Sequence, residues 1–151
     1  ANRIRLAEPD SDTQVVVALE GMGSMGSMQG QAELYYADYS GGNVDAEGWG
    51  AYGQVGWMFG GKRRIYQPRW GMWQPVDAAQ GHVFEIFGRI SVTRGNDDVN
   101  SSNELSVLTV GGNWYYRNFR VAANLIYAET GRDLVDEGDG LALGLRLQLL
   151  F

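Results

Sequence analysis

The sequence contains no cysteine, a single lysine (Lys62) and a single histidine (His82). Without cysteine there is neither a disulfide framework nor a thiolate metal or redox site. His82 has no serine motif and no partner histidine around it, so we expect no catalytic group, no metal and no cofactor. The formal net charge of −6 argues against a nucleic-acid partner. The sequence therefore predicts a protein that is not an enzyme.

Long apolar runs are also missing. No run of about 18 apolar residues occurs, which excludes a membrane-spanning helix. The chain does not open on a basic and apolar leader. If the protein is exported, we expect that leader to have been removed, or an N-terminal part to be absent from the sequence. What the sequence does have is 22 glycines, 8 tyrosines and 5 tryptophans, which is unusual for a cytosolic enzyme.

Alternation with a period of two is the dominant pattern, and it is clearest from Leu141 to Phe151. The odd positions there are all apolar, whereas the even ones are mostly small or polar and include Arg146 and Gln148. The pattern predicts about eight strands, several of them long enough to cross a bilayer in about 9–11 residues. The other alternating segments lie near residues 3–6, 15–20, 31–34, 51–59, 84–93, 108–116 and 119–128.

Aromatic residues gather near the ends of these segments, where the rings of a transmembrane barrel sit at the membrane interface. Because every backbone group must be paired in lipid, an all-strand chain has to close into a barrel. We therefore predict an all-β, antiparallel transmembrane β-barrel in a bacterial outer membrane. The aromatic residues are Tyr35, Tyr36, Trp49, Trp57, Phe59, Trp114, Tyr115, Tyr116, Tyr127 and Phe151.

The connections alternate between short and long. Short turns are predicted at 26–28 and 117–118, and long polar loops at 40–48, 94–103 and 130–140. If Phe151 lies at the periplasmic end, the long loops face outward and the connection 61–81 falls on the periplasmic side. That connection has about 20 residues, a length that is usually functional or disordered. Its basic and aromatic content argues against disorder.

Together these segments resemble one known family, the phosphate-selective porins of the O and P type. The resemblance lies in their order and spacing, and it covers most of the chain. Its segments are Gln31–Glu33, Gly50–Phe59, Phe84–Glu85 with Arg89 and Ser91, Gly112–Tyr115, Arg120–Asn124, Gly140–Leu143, Leu145–Gln148 and Phe151.

The resemblance implies a sixteen-stranded barrel that assembles as a homotrimer. Residues 1–151 would form its C-terminal half, with the inserted connection 61–81 matching a constricting element that folds inward from the periplasmic side. It further implies that Phe151 is read by the outer-membrane assembly machinery. Outer-membrane lipid and lipopolysaccharide would surround the barrel.

Three arginines fall on the small or polar face of their strands: Arg89, Arg120 and Arg146. As pore-lining residues they would attract anions into a narrow channel. The alternative is that they pair with neighbouring carboxylates, Glu85 and Glu33 among them, and only brace the wall.

Four further cations lie in the 61–81 connection: Lys62, Arg63, Arg64 and Arg69. They could line a constriction and bind phosphate-like anions, since the arginine fork suits oxyanions. The alternative is a solvated periplasmic turn. For the acidic loops around Asp97 and Asp133, solvated surface is favoured over a role in binding the divalent cations that bridge lipopolysaccharide.

The predicted function is a porin, a passive diffusion channel for small hydrophilic, anionic and phosphate-like solutes. The alternative is a self-contained eight-stranded outer-membrane barrel with a filled interior and a structural or adhesion role. A filled interior needs bulky or fully paired groups. The many Gly and Ala residues on the inner positions, beside Arg and Gln, favour a wide barrel.

Overall fold

The computed structural model describes residues 13–41, 45–60, 62–97, 103–131 and 138–149. Every element in it is a strand. Those elements are β1 (Thr13–Met25), β2 (Met28–Ser40), β3 (Ala46–Met58), β4 (Tyr66–Gln67), β5 (Met72–Trp73), β6 (His82–Asp97), β7 (Asn103–Tyr116), β8 (Phe119–Thr130) and β9 (Asp139–Leu149).

Seven of these strands form one antiparallel sheet in the order β1-β2-β3-β6-β7-β8-β9. Its strands have 11 to 16 residues, well beyond the usual length of about 5–6 in globular proteins. The sheet is not closed: β1 and β9 are its two edges among the described residues. The all-β antiparallel prediction is confirmed, with seven long strands described. The strand expected near residues 3–6 lies outside the described residues.

The sheet has two chemically different faces, because alternate side chains point to opposite sides. The outer face, which carries Ile86, Val110 and Leu125, is apolar and exposed. On β9 its leucines from Leu141 to Leu147 are 70–75% exposed. The inner face carries the polar partners of these positions, Glu85 and Arg89 among them. An apolar patch this large is rare on the surface of a water-soluble monomer.

The turns between neighbouring strands are as short as predicted where the structure describes them. Gly26 (φ +59°) lies in the β1–β2 turn, and Arg117 (φ +50°) in the β7–β8 turn. We call the side of the sheet that carries these turns the short-turn end. The long loops lie at the other end, the long-loop end, partly outside the described residues. None of the described residues forms a helix that could cross a membrane.

The connection 62–81 joins β3 to its neighbour β6 and packs on the inner face. It contains the β4–β5 hairpin, whose base is held by a hydrogen bond from Gln74 N to Ile65 O (2.8 Å). A small apolar core joins this connection to the sheet: Met58, Val83 and Tyr115 from the sheet, with Ala78 and Val76 from the connection. Met58 is the most buried of them, at 1% exposed.

Candidate functional site

Glu85 is the centre of the polar contacts on the inner face. It lies on β6 opposite Met58 and Asn113, and only 2% of it is exposed. Both of its oxygens accept hydrogen bonds: Arg64 donates from Nε to Oε1 (3.1 Å) and from Nη2 to Oε2 (3.0 Å). Asn113 Nδ2 and Tyr115 OH each donate to Oε2 at 2.8 Å. Gln29 Nε2 donates to Oε1.

A buried carboxylate is costly unless it is paired and fully hydrogen-bonded. Arg64 supplies the compensating charge. Burial alone would lower the pKa of the Arg64 guanidinium, but the hydrogen bonds and the charge of Glu85 outweigh burial and raise that pKa. Arg64 Nη2 also donates to Tyr115 OH at 2.8 Å. The pair therefore fastens the connection to the wall of the sheet.

Arg120 extends this network toward the edge of the sheet. Its Nε and Nη2 donate to Asn113 Oδ1 at 3.1 and 2.9 Å, and its Nη1 donates to Gln148 Oε1 at 3.0 Å. The guanidinium also lies 5.5 Å from the centre of the Tyr115 ring. Arg120 is thus held by amide oxygens and makes no ion pair with a carboxylate among the described residues.

A second network surrounds Arg89. Its guanidinium carbon lies 3.9 Å from the centre of the Tyr52 ring, a close cation–π contact. Gln31 Nε2 donates to Tyr52 OH (2.6 Å) and to Glu20 Oε1 (2.8 Å). Trp73 Nε1, from the hairpin of the connection, donates to Gln31 Oε1 (3.3 Å). Besides its apolar core, the connection is therefore held to the sheet by side-chain hydrogen bonds around Glu85 and at Gln31.

The remaining predicted cations join neither network. Arg146 lies on β9 opposite Ala122 and is exposed. On the connection Arg63 and Arg69 are exposed and Lys62 is half-buried. Arg69 lies 5.5 Å from the ring centre of Trp70, which is itself 67% exposed.

The structure brings together two of the seven predicted cations. Arg64 contacts the carboxylate of Glu85, and Arg120 contacts the amide of Asn113, which itself donates to Glu85. Among the described residues, Arg89, Arg120 and Arg146 form no ion pair with Glu85 or Glu33. Glu85, one of the carboxylates considered as partners of these arginines, is paired with Arg64 of the connection instead.

Sequence reasoning missed the group that organises this face. Glu85 was expected only as a possible partner of wall arginines, and Asn113, Tyr115 and Gln29 were not expected to take part. The available signal was a carboxylate at an inward position of β6. Its partner Arg64 lies 21 residues earlier in the sequence, and only the fold shows that the two side chains are in contact. No cluster of ligands for a metal ion is found in the described part of the chain.

Comparison with known protein families gives a match. The sequence model of the family described as phosphate-selective porin O and P matches residues 3–151. The match covers nearly the whole chain. No curated protein matches the sequence.

Proposed function

The chain belongs to the phosphate-selective porin O and P family, and from that premise we propose that it forms part of the wall of an outer-membrane channel for small phosphate-like anions. Transport would be passive diffusion through a water-filled lumen, without a cofactor or a chemical step. The inner face of the sheet would line the lumen, and the outer face would contact lipid and lipopolysaccharide.

One observation carries the anion preference: Arg89 is held against the face of Tyr52 and has no carboxylate partner among the described residues. A guanidinium held by a ring keeps its positive charge and its N–H donors for oxyanions. Arg120, held by amides rather than by a carboxylate, would add to the same field. Arg146 is the third cation on this face.

The connection would act as a constriction. Its hairpin contacts the inner face at Gln31 through Trp73, and Arg64, which precedes the hairpin, contacts it at Glu85. Since Arg64 is neutralised by Glu85, we assign it to holding the connection in place. Lys62, Arg63 and Arg69 have no carboxylate contact among the described residues, and they would be the cations that meet the solute.

The remaining architecture follows the family. The open edges of the sheet suit a chain that supplies the C-terminal half of a sixteen-stranded barrel. We further propose that the barrel assembles as a homotrimer and that Phe151 is read by the outer-membrane assembly machinery. A barrel closed by these strands alone would require β1 to pair with β9, and no such pairing occurs in the described residues.

The test is the reversal potential of the intact protein in a planar bilayer under a salt gradient. We expect anion preference, which Arg89→Gln reduces about twofold. A unit charge about 8 Å from an ion in water acts on it with about 0.5 kcal/mol. Arg94→Gln is the matched control, because Arg94 lies on the outer face and is paired with Glu104. Cation preference, or no conductance from the intact protein, would overturn the proposal.

A further inference from the structure

Three aromatic rings are stacked at the short-turn end of the outer face. His82 begins β6 and pairs with Tyr116, the last residue of β7. The His82 ring is stacked on Tyr116 with a centroid distance of 4.5 Å and on Trp114 with 5.6 Å. All three residues share the outward parity of Phe84 and Ile86. They form a flat ledge, which we call the aromatic ledge.

Two side chains at the aromatic ledge, His82 and Arg117, have N–H groups that can donate hydrogen bonds to a ligand. Trp114 Nε1 donates to His82 Nδ1 (3.1 Å), so that the proton of the neutral imidazole is on Nε2, which is left to donate to another group. Arg117 follows Tyr116 directly, and its guanidinium carbon lies 5.4 Å from the Tyr116 ring centre. His82 and Arg117 are both exposed. The arginine occupies a backbone position with φ +50°, which a non-glycine residue adopts infrequently.

The charge of the outer face differs between its two ends. At the long-loop end the outward positions include Glu47, Glu104, Glu129 and Asp139, and Arg94 there is already paired with Glu104. At the short-turn end the described outward positions include His82 and no carboxylate, and the cation Arg117 lies in the adjacent β7–β8 turn.

The nearby connection forms no ion pair with Arg117 among the described residues. Ala78 accepts the backbone N–H of Arg117 (3.0 Å), and the carboxylate of Asp77 accepts the backbone N–H of Ala79 (3.1 Å). The short-turn end therefore matches an anionic ligand.

An apolar groove of 630 Å³ begins at the ledge and runs along the outer face. Trp114, Phe84, Ile86 and Val121 are among the residues that line it. Gly112 and Ala123 leave the groove open because their side chains are absent or small. A ligand that fits both features has an anionic head beside a long apolar tail.

We propose that the aromatic ledge and this groove bind an anionic glycerophospholipid, a site that rests on the proposed membrane location of the chain. Arg117 and His82 Nε2 would hold the phosphodiester, since arginine matches phosphate with two parallel hydrogen bonds. One acyl chain would lie in the groove. Free inorganic phosphate would use Arg117 and His82 Nε2 but would leave the groove empty, which is why the lipid is the occupant that fits the whole site.

The experiment is native mass spectrometry of the intact protein released from detergent, titrated with phosphatidylglycerol or with zwitterionic phosphatidylcholine. The wild type should bind phosphatidylglycerol more tightly. Arg117→Asn should weaken phosphatidylglycerol binding about fivefold, as expected for one cation near an anionic lipid, and should leave phosphatidylcholine unchanged. Asparagine tolerates positive φ, so the turn is retained. Gly112→Val should weaken both lipids by filling the groove.

The space at Gly112 permits that second variant, because an added Cβ would meet only Glu85 O at 3.5 Å. Arg94→Gln is the control for loss of an outer-face arginine at the other end and should bind as the wild type does. An equal loss in Arg94→Gln, or displacement of the lipid by millimolar inorganic phosphate, would overturn the proposal. A wild type that conducts ions but binds both lipids equally would overturn the site alone, whereas failure to insert into any bilayer would overturn the proposed channel.

Discussion

Arg64 and Glu85 form a bidentate ion pair, with Nε–Oε1 at 3.1 Å and Nη2–Oε2 at 3.0 Å, between the connection 62–81 and the wall of the sheet. The pair uses both oxygens of a nearly fully buried carboxylate. In such a pair each partner is needed to compensate the other, because removal of one leaves a buried charge behind. The ion pair therefore holds the connection to the sheet, beside the apolar core around Met58 and the hydrogen bond of Trp73 with Gln31.

Glu85→Gln is expected to destabilise the folded protein by about 3–5 kcal/mol, since Arg64 would keep its charge without a partner. The measurement is the urea concentration at which half of the protein has lost the heat-modifiable gel band of the folded form. The matched control is Glu104→Gln, which breaks the exposed pair with Arg94 and should cost about 1 kcal/mol or less. Similar urea midpoints for the two variants would show that Glu85 does not compensate the buried charge of Arg64.

Arg64→Gln is expected to loosen the connection and to raise the single-channel conductance. The double variant Arg64→Gln with Glu85→Gln should restore part of the lost stability, because it leaves no isolated charge. A thermodynamic cycle over the four proteins gives the coupling between the two residues. Additive losses of stability in the two single variants would mean that the two side chains act independently.

Tyr52→Leu is expected to reduce anion preference, because Arg89 would lose the ring that holds it. The cation–π contact is worth about 0.5–1 kcal/mol at an exposed site. Tyr52→Phe is the control: it keeps the ring and removes only the hydroxyl that accepts from Gln31. Reversal potentials of the two variants should differ, and identical values would mean that the ring does not position Arg89.

Gly50→Ala should destabilise the sheet, whereas Gly53→Ala on the same strand should not. A Cβ at Gly50 would overlap the Tyr35 ring and hydroxyl, and Tyr35 would have to leave its hydrogen bond with Thr93 (3.0 Å). At Gly53 an added Cβ meets nothing within 4 Å. Overpacking of this kind costs about 1–3 kcal/mol. Urea midpoints would check the difference, and equal midpoints would contradict it.

Trp73→Phe should increase cleavage of the connection by added protease while leaving the sheet intact. The variant keeps a large ring but loses the N–H that donates to Gln31 Oε1. Loss of one neutral hydrogen bond costs about 1 kcal/mol, or about a fivefold change in the opened population. Trp70→Phe is the control, since Trp70 is 67% exposed. Equal cleavage of both variants would show that Trp73 does not anchor the hairpin.

The strands were predictable because alternation has a period of two and each strand carries it over many residues. From Leu141 to Leu149, for example, one face is leucine at every second position, and no other residues are needed to recognise it. The short turns were predictable for the same reason. The alternation breaks at 26–27 and at 117–118, and it resumes in a strand that runs in the opposite direction.

The contacts of the inner face were less predictable. Parity places Arg89, Arg120 and Arg146 on one side of the sheet, but it does not say which partner each one meets. That depends on register between strands and on a connection without regular periodicity. Arg64 and Arg63 are adjacent in sequence and equally basic, yet Arg64 is fastened to Glu85 while Arg63 is exposed. Only the path of the backbone separates them.

The connection has a consequence for the order of folding. Its two ends leave adjacent strands, and Phe59 N donates to Phe84 O at 2.9 Å where those strands meet. Pairing of β3 with β6 therefore closes a local loop whose entropic cost rises only slowly with its length. Arg64, Glu85 and Gln29 are already present at that moment, before β7 arrives with Asn113 and Tyr115. The connection 62–81 is thus expected to form together with the strands that carry it, rather than to pack on the inner face after the sheet is complete.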